Sequence, residues 1–261
     1  MSRFITHIAG LFLCSTFLLS CATTKQTTLL ASYVARPTDQ LFESVVRITT
    51  VSADPICDTS DPPKCVPSPT ILSSGALIIT PNGSRGILTV AHALTVFGPD
   101  QRTEVYATLG NDVTIQIKDS ACDFAADICF MFVPTGTLED EGLSVLKLAE
   151  EAPEWGDRIL YTGDPKSIST NFRGQIRPLF SGLFSGSSVW ATPWGPRKIS
   201  MVTIPSAHGA SGSVLVNERY EIIGVVQMVH PTFAFSTLTI EFNDLVAFLN
   251  SVKTIEEYRS E

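Results

Sequence analysis

Histidine is scarce in this chain of 261 residues: there are four, so any proton transfer by imidazole has to be built from very few groups. Long apolar runs are missing too. The longest, from about Ile8 to Leu19, falls short of the roughly 20 residues a membrane-spanning helix needs. Basic side chains are outnumbered, with 18 Lys and Arg against 26 Asp and Glu and a formal charge of −8. That balance argues against binding nucleic acid, and against electrostatic attachment to anionic lipid. No repeat of 20–50 residues is present, which sets solenoids aside.

The N-terminus is laid out for export. Residues 1–20 carry one charged side chain, Arg3, ahead of the apolar segment, the arrangement of a secretory signal. The segment ends Leu18-Leu19-Ser20-Cys21-Ala22, which resembles a bacterial lipobox with Cys21 as the lipidated residue. An ordinary signal with an incidental cysteine is the alternative. Ala22 after the cysteine fits outer-membrane retention by analogy, and 21–40, rich in Thr, Ser and Ala, reads as a tether. Without residues 1–20 the chain has 241 residues and, having lost only Arg3, a formal charge of −9. Membrane attachment is therefore expected through the lipid, placing the protein in the bacterial envelope.

Setting aside Cys14 and Cys21, four cysteines remain: Cys57, Cys65, Cys122 and Cys129. An even number in an exported chain points to disulfides. Sequence allows three connectivities, of which Cys57–Cys65 and Cys122–Cys129 close short local loops and are preferred. A four-cysteine zinc site is the rival, but neither pair has the close spacing of a zinc knuckle.

The body of the chain is a succession of short apolar runs between turn signals, the pattern of an all-β barrel or sandwich. Ser44–Thr49, Gly75–Ile79, Gly86–Val90, Val113–Ile117, Ile128–Val133 and Arg158–Tyr161 read as strands. Later strands are expected near Gly174–Ser185, Ser188–Ala191, Lys198–Thr203, Val214–Val216, Ile222–Val229 and Phe235–Ile240. Pro81-Asn82-Gly83 is a hairpin turn signal. One helix is expected at about 243–258, capped by Asn243, with Leu245, Val246, Phe248, Leu249 and Val252 on one face. A dozen strands and one helix suggest two small barrels, at about 41–137 and 150–240, within a domain spanning 41–253. A single β-sandwich is the alternative.

Three fragments carry chemistry. Ser211 lies between Gly209-Ala210 and Gly212, in a tight loop that displays a hydroxyl. The N–H groups of Gly209 and Ser211 can converge there on an oxygen carrying negative charge. A serine hydroxyl needs a base, and the base needs a group to fix its tautomer. With His7 in the signal, the bases left are His92, His208 and His230. His92 ends an apolar strand between two alanines, small neighbours that let an imidazole turn into a cleft. Asp127 heads the apolar run Ile128–Phe132, where a carboxylate wants a partner. Each fragment alone also reads as an ordinary core histidine, capping aspartate or turn serine.

Taken together, Gly86-Ile-Leu-Thr-Val-Ala-His92, Asp127-Ile-Cys-Phe-Met131 and Gly209-Ala-Ser-Gly-Ser213 resemble the three signatures of chymotrypsin-fold serine endopeptidases. The similarity is to the bacterial glutamyl-endopeptidase-like and HtrA-like branches. Ser74–Gly83, and Asn217-Glu218 leading to Ile222-Ile-Gly-Val225, are similar in the same way. The resemblance implies two orthogonal six-stranded barrels with a C-terminal helix. It also implies Ser211 as nucleophile, His92 as base then acid, Asp127 as orienting carboxylate, and Gly209 and Ser211 N–H groups as the oxyanion hole. The reaction implied is hydrolysis of a protein or peptide through an acyl-enzyme, with no metal or cofactor.

The chain also departs from the family. Ala210 stands where digestive members carry an aspartate, so activation by a new N-terminus is not expected. Gln227-Met228-Val229 replaces the Ser-aromatic-Gly of the substrate-binding strand. Val229 should narrow the primary pocket, and Pro205 and Ser206 at its base bring no acid, so a small apolar residue is expected before the cut. His230 or His208 could instead meet an acidic substrate residue, against the simpler expectation that both lie in surface loops. No PDZ-type module follows, so a peptide-regulated oligomer is not expected. Two other functions stay open: a catalytically silent protease fold acting as an envelope scaffold, and an esterase using the same triad. An α/β-hydrolase is disfavoured, because Gly-x-Ser-x-Gly is absent around Ser211 and no βαβ pattern is visible.

Overall fold

Two faces of the same strands feed two different apolar cores, and this explains why the runs along the chain are continuous rather than alternating. Strand β4 (Ile71–Ile79) sends Ala76 and Ile78 to one core and Leu77 to another. Strand β5 (Arg85–Thr89) divides Leu88 and Ile87 in the same way, and β9 (Ile128–Phe132) puts Phe130 on one side and Met131 on the other. A strand alternates its side chains between faces, so a strand with both faces covered must be apolar throughout.

The computed structural model describes residues 37–260 except 53–55, 58–59, 61, 63, 67–69, 96–102, 111, 135, 141, 164–178, 193–194 and 234. The expected signal, most of the expected tether and Cys21 lie outside these residues. The described residues fall in one unit, Ala35–Glu261. It opens with helix α1 (Pro37–Ser44), which begins inside the last residues of the expected tether and leads into β1 (Val45–Ser52).

The first half is an eight-stranded sheet. Strands β6 (Thr103–Thr108), β7 (Thr114–Ile117) and β8 (Ser120–Asp123) complete the order β7-β6-β1-β4-β5-β9-β8. The eighth strand, β10 (Leu146–Lys147), follows the short helix α2 (Thr137–Asp140) and runs parallel to β4. Strands β7 and β8 stand at opposite ends of this order yet are separated by only Lys118 and Asp119, so the sheet has to curl round on itself. The first of the two expected six-stranded barrels is thus a half-barrel, a curled sheet of eight strands. The expected hairpin joins β4 to β5: Gly83 has φ +85°, and its N–H donates to the Thr80 carbonyl at 2.9 Å.

The second half is a closed six-stranded barrel. Its members are β11 (Arg158–Thr162), β12 (Leu179–Thr192), β13 (Gly195–Val202), β14 (Val214–Val216), β15 (Ile222–Val229) and β16 (Thr237–Ile240), ordered β11-β12-β13-β16-β15-β14. The two strands expected near 174–191 are one, β12, with a register shift between Phe184 and Ser187. Gly186, at φ +98°, lets the chain bulge there without ending the strand. Between the halves, Leu88, Ile128 and Phe130 from the first meet Val214, Val216 and Ile222 from the second in one buried cluster.

Two short strands, β2 (Ile56–Cys57) and β3 (Cys65–Val66), pair with Cys57 opposite Cys65; those two side chains lie outside the described residues. The helical C-terminus comes in two pieces, α3 (Phe242–Ser251) and α4 (Ile255–Arg259). Glu241, not Asn243, caps α3: its carboxylate accepts the Asn243 N–H at 2.8 Å. A carboxylate at a helix N-terminus also meets the positive end of the backbone dipoles. Thr254 and Glu257 form a capping box that starts α4.

Candidate active site

His92 follows β5 within the tight helical turn Ala91–Leu94. Ala91 and Ala93 are buried on either side of it, and Thr50 Oγ1 on β1 donates to the Ala93 carbonyl at 2.8 Å. The small neighbours pin the turn to the core and leave the imidazole at the rim, with 35% of its side chain exposed.

Asp127 ends the turn between β8 and β9. Cys122 and Cys129 face each other across that ladder and are joined by a disulfide, as expected from their spacing. Inside the turn the Ala126 N–H donates to Asp123 Oδ1 at 2.7 Å and the Asp127 N–H to the Phe124 carbonyl at 3.3 Å. Asp127 has φ +50°, a left-handed conformation that Asp and Asn adopt more readily than most residues. The carboxylate, 3% exposed, takes the His92 backbone N–H on Oδ1 at 2.9 Å. It also takes the imidazole Nδ1, 2.8 Å from Oδ2 and 3.0 Å from Oδ1. A carboxylate that accepts here makes Nδ1 the donor, and in the neutral imidazole that tautomer puts the lone pair on Nε2. Among the described residues Nε2 has no partner.

Ser211 comes from the second half, on the loop that enters β14. Contacts with β4 fix this loop: the Ser74 N–H donates to the Ser211 carbonyl at 2.8 Å, and Ser74 Oγ to the Gly209 carbonyl at 2.7 Å. Gly212 is at φ +88°, and a Cβ there would overlap the Ser74 carbonyl and Thr89 Oγ1. Only glycine meets both demands. Gly209 is also left-handed, at φ +91°. The N–H groups of Gly209 and Ser211 have no acceptor among the described residues, so both are available to an incoming oxygen. The Ser211 hydroxyl rests on the Gln227 carbonyl at 3.3 Å and not on His92.

Gln227 joins the two halves of the site. Its side chain is buried, and its Nε2 donates across to the Ala126 carbonyl at 2.7 Å and the Asp127 carbonyl at 3.4 Å. The side-chain amide of this expected pocket residue thus faces the aspartate turn. Its isolation as a polar amide at the end of Ile222–Val226 was the one sequence signal for that. Strand β14 pairs with β15 only as far as Val225, while the His230 N–H donates to the Ser236 carbonyl on the β16 side at 3.0 Å. Val229 is in register with Thr237 on β16, and by alternation its own N–H and carbonyl face the other side, where 227–229 form a strand edge with no partner strand among the described residues.

The other expected pocket residues are spread around this edge. The Pro205 carbonyl takes the Tyr161 hydroxyl at 2.7 Å, and burial pushes that phenol's pKa up, so it remains a donor. Ser206 Oγ meets Thr237 Oγ1 at 2.8 Å. Met228 and Val229 are half-buried. His208 is exposed, as a loop histidine should be, but His230 is buried. Its Nδ1 accepts the N–H groups of Thr232 and Phe233 at 3.2 and 3.1 Å, and its ring packs against Trp190. Aromatic packing and a satisfied ring nitrogen keep it from being a surface residue.

A closed barrel and a curled sheet, with a histidine–aspartate pair on one and a glycine-flanked serine on the other, define the class of trypsin-like peptidase domains. The chain belongs to that family, whose model matches residues 74–225. Among solved structures, the active form of the Rv3671c protease from M. tuberculosis is similar in fold at 16% identity. Its TM-score is 0.62, covering 87% of this chain and 89% of that one. The inactive form of the same protease gives a TM-score of 0.59 at 16% identity, over 86% and 96% of the two chains. A serine endoprotease from Yersinia pestis gives 0.55 at 16% identity, over 82% and 64%. No curated protein matches the sequence.

Proposed function

We propose that this chain is a serine endopeptidase that hydrolyses peptide bonds through Ser211, His92 and Asp127. The observation that carries this reading is the buried Asp127 carboxylate held to His92 Nδ1 at 2.8 Å, beside a serine whose loop offers two N–H groups with no acceptor among the described residues. The peptide lies along the open edge at 227–229. Ser211 Oγ attacks the scissile carbonyl carbon while His92 Nε2 takes its proton, and the resulting oxyanion is held by the N–H groups of Gly209 and Ser211. His92 then gives the proton to the departing amine, leaving an acyl-enzyme, and water activated by the same imidazole releases the acid. Asp127 stays ionised throughout and stabilises the imidazolium. Val229 on that edge, and Pro205 and Ser206 with no acid bonded to them among the described residues, favour a small apolar residue before the cut. Cys21 anchors the enzyme through lipid in the bacterial envelope.

A fluorophosphonate probe tests the catalytic claim on the full chain. Labelling of the wild type, and a loss of peptide hydrolysis of about 10⁴-fold or more in Ser211→Ala, is the expected outcome. A second reading, a silent scaffold, is favoured by the resting hydroxyl on Gln227 rather than on His92. A folded wild type that takes no label would favour the scaffold.

A further inference from the structure

Gln227 belongs to neither the nucleophile, the base nor the acid, yet it touches both ends of the site. Resting on the reading above, we propose that Gln227 is a positioning residue. Its side-chain amide clamps the Asp127 turn to the second barrel, while its own carbonyl parks the Ser211 hydroxyl until a peptide strand claims that carbonyl.

The clamp follows from three observations. The Asp127 turn belongs to the curled sheet and Gln227 to the closed barrel, so the 2.7 Å bond from Nε2 to the Ala126 carbonyl crosses the junction between them. Ala126 and Asp127 are both buried, and a buried carbonyl left without a donor is destabilising. Asp127 also sits in a left-handed conformation that persists only where its surroundings hold it. No apolar side chain could supply these donors.

The parking follows from the bulge. The β15–β16 register shifts between Val226 and Met228, placing the Gln227 carbonyl on the open edge next to Ser211. That carbonyl is an acceptor that a peptide lying along 227–229 would need for its own N–H. A peptide N–H that takes it competes with the serine hydroxyl, whose own 3.3 Å bond is long. The free Nε2 of His92 is the remaining acceptor. One residue thereby keeps the aspartate in place and keeps the serine idle without substrate.

Two variants test the clamp. Gln227→Met keeps the length of the side chain and removes the donor. Gln227→Glu keeps the shape, and donates only when its carboxyl is protonated. Gln227→Met should label with fluorophosphonate about tenfold or more slowly than wild type. It should also shift or broaden the hydrogen-bonded Nδ1 proton resonance of His92, a signal that does not depend on turnover. In Gln227→Glu the labelling rate relative to wild type should rise as pH falls, because acid restores the donor. If Gln227→Met fails to fold, the Gln227→Glu series decides alone. Wild-type resonance with wild-type labelling in Gln227→Met, or a flat ratio across pH in Gln227→Glu, overturns the proposal. Ser211→Ala should keep the His92 resonance, so loss of the catalytic reading and loss of the clamp are told apart.

Discussion

The curled sheet and the closed barrel hold their parts of the site in different ways. In the sheet, His92 and Asp127 lie 35 residues apart in sequence and meet by direct side-chain contact. A disulfide and a hydrogen-bonded turn hold the aspartate, and two alanines hold the histidine. In the barrel, Ser211 is placed chiefly by backbone: carbonyls and N–H groups on Ser74, Val226 and Ala210, helped by the Ser74 hydroxyl on the Gly209 carbonyl, fix a loop that only glycine can follow. The comparison teaches that the charged partners are oriented by side-chain chemistry, and the nucleophile by main-chain geometry. Substitutions should therefore fail in different ways on the two sides.

The sharpest test of the first mechanism is Asp127→Asn. Asparagine accepts the left-handed conformation and can still receive the His92 N–H, so the turn should survive with the melting temperature little changed. The imidazole tautomer is no longer fixed, and kcat should fall by about 10⁴-fold. A rate within tenfold of wild type would show that Asp127 does not orient His92. The next largest effect belongs to the barrel side. Gly212→Ala puts a Cβ against the Ser74 carbonyl at a positive φ, and should destabilise the fold by roughly 3 kcal/mol or more in chemical denaturation. A loss well under that would mean the loop can be re-routed, and the contrast between the two sides would weaken. The smallest effect runs the other way. Ser213 Oγ is buried with no hydrogen-bond partner among the described residues. Ser213→Ala removes an unsatisfied group and should leave stability unchanged or raise it by up to about 1 kcal/mol. A clear loss would reveal a partner for that hydroxyl and a side-chain role in the serine loop after all.

Much of this arrangement could be read along the chain. The runs before His92 and after Asp127 are apolar because both faces of β5 and β9 are covered, and Gly209 and Gly212 stand where the main chain turns left-handed. The Cys122–Cys129 spacing matched a cross-strand pair. Other features were hidden because they depend on distant partners. His230 looked like a loop residue until Trp190, forty positions earlier, closed over its ring. Residues 179–192 looked like two strands because a bulge at Gly186 breaks their alternation without breaking the ladder. Asn243 looked like the cap, yet Glu241 reaches the N–H group and also pairs with Lys198 at 3.2 Å.

The sequence by itself determined the β-rich class, the three short segments that carry histidine, aspartate and serine, and the glycines without which the serine loop could not form. These are local properties, set by side-chain alternation and by the φ angles a residue can adopt. Only the tertiary structure decided that one half closes into a barrel while the other curls without closing. It also decided that the resting serine lies on a carbonyl rather than on the imidazole, and that Gln227 faces the aspartate turn. Those outcomes depend on which strand edges and buried polar groups meet after the chain has folded back over more than a hundred residues, and no local pattern encodes such meetings.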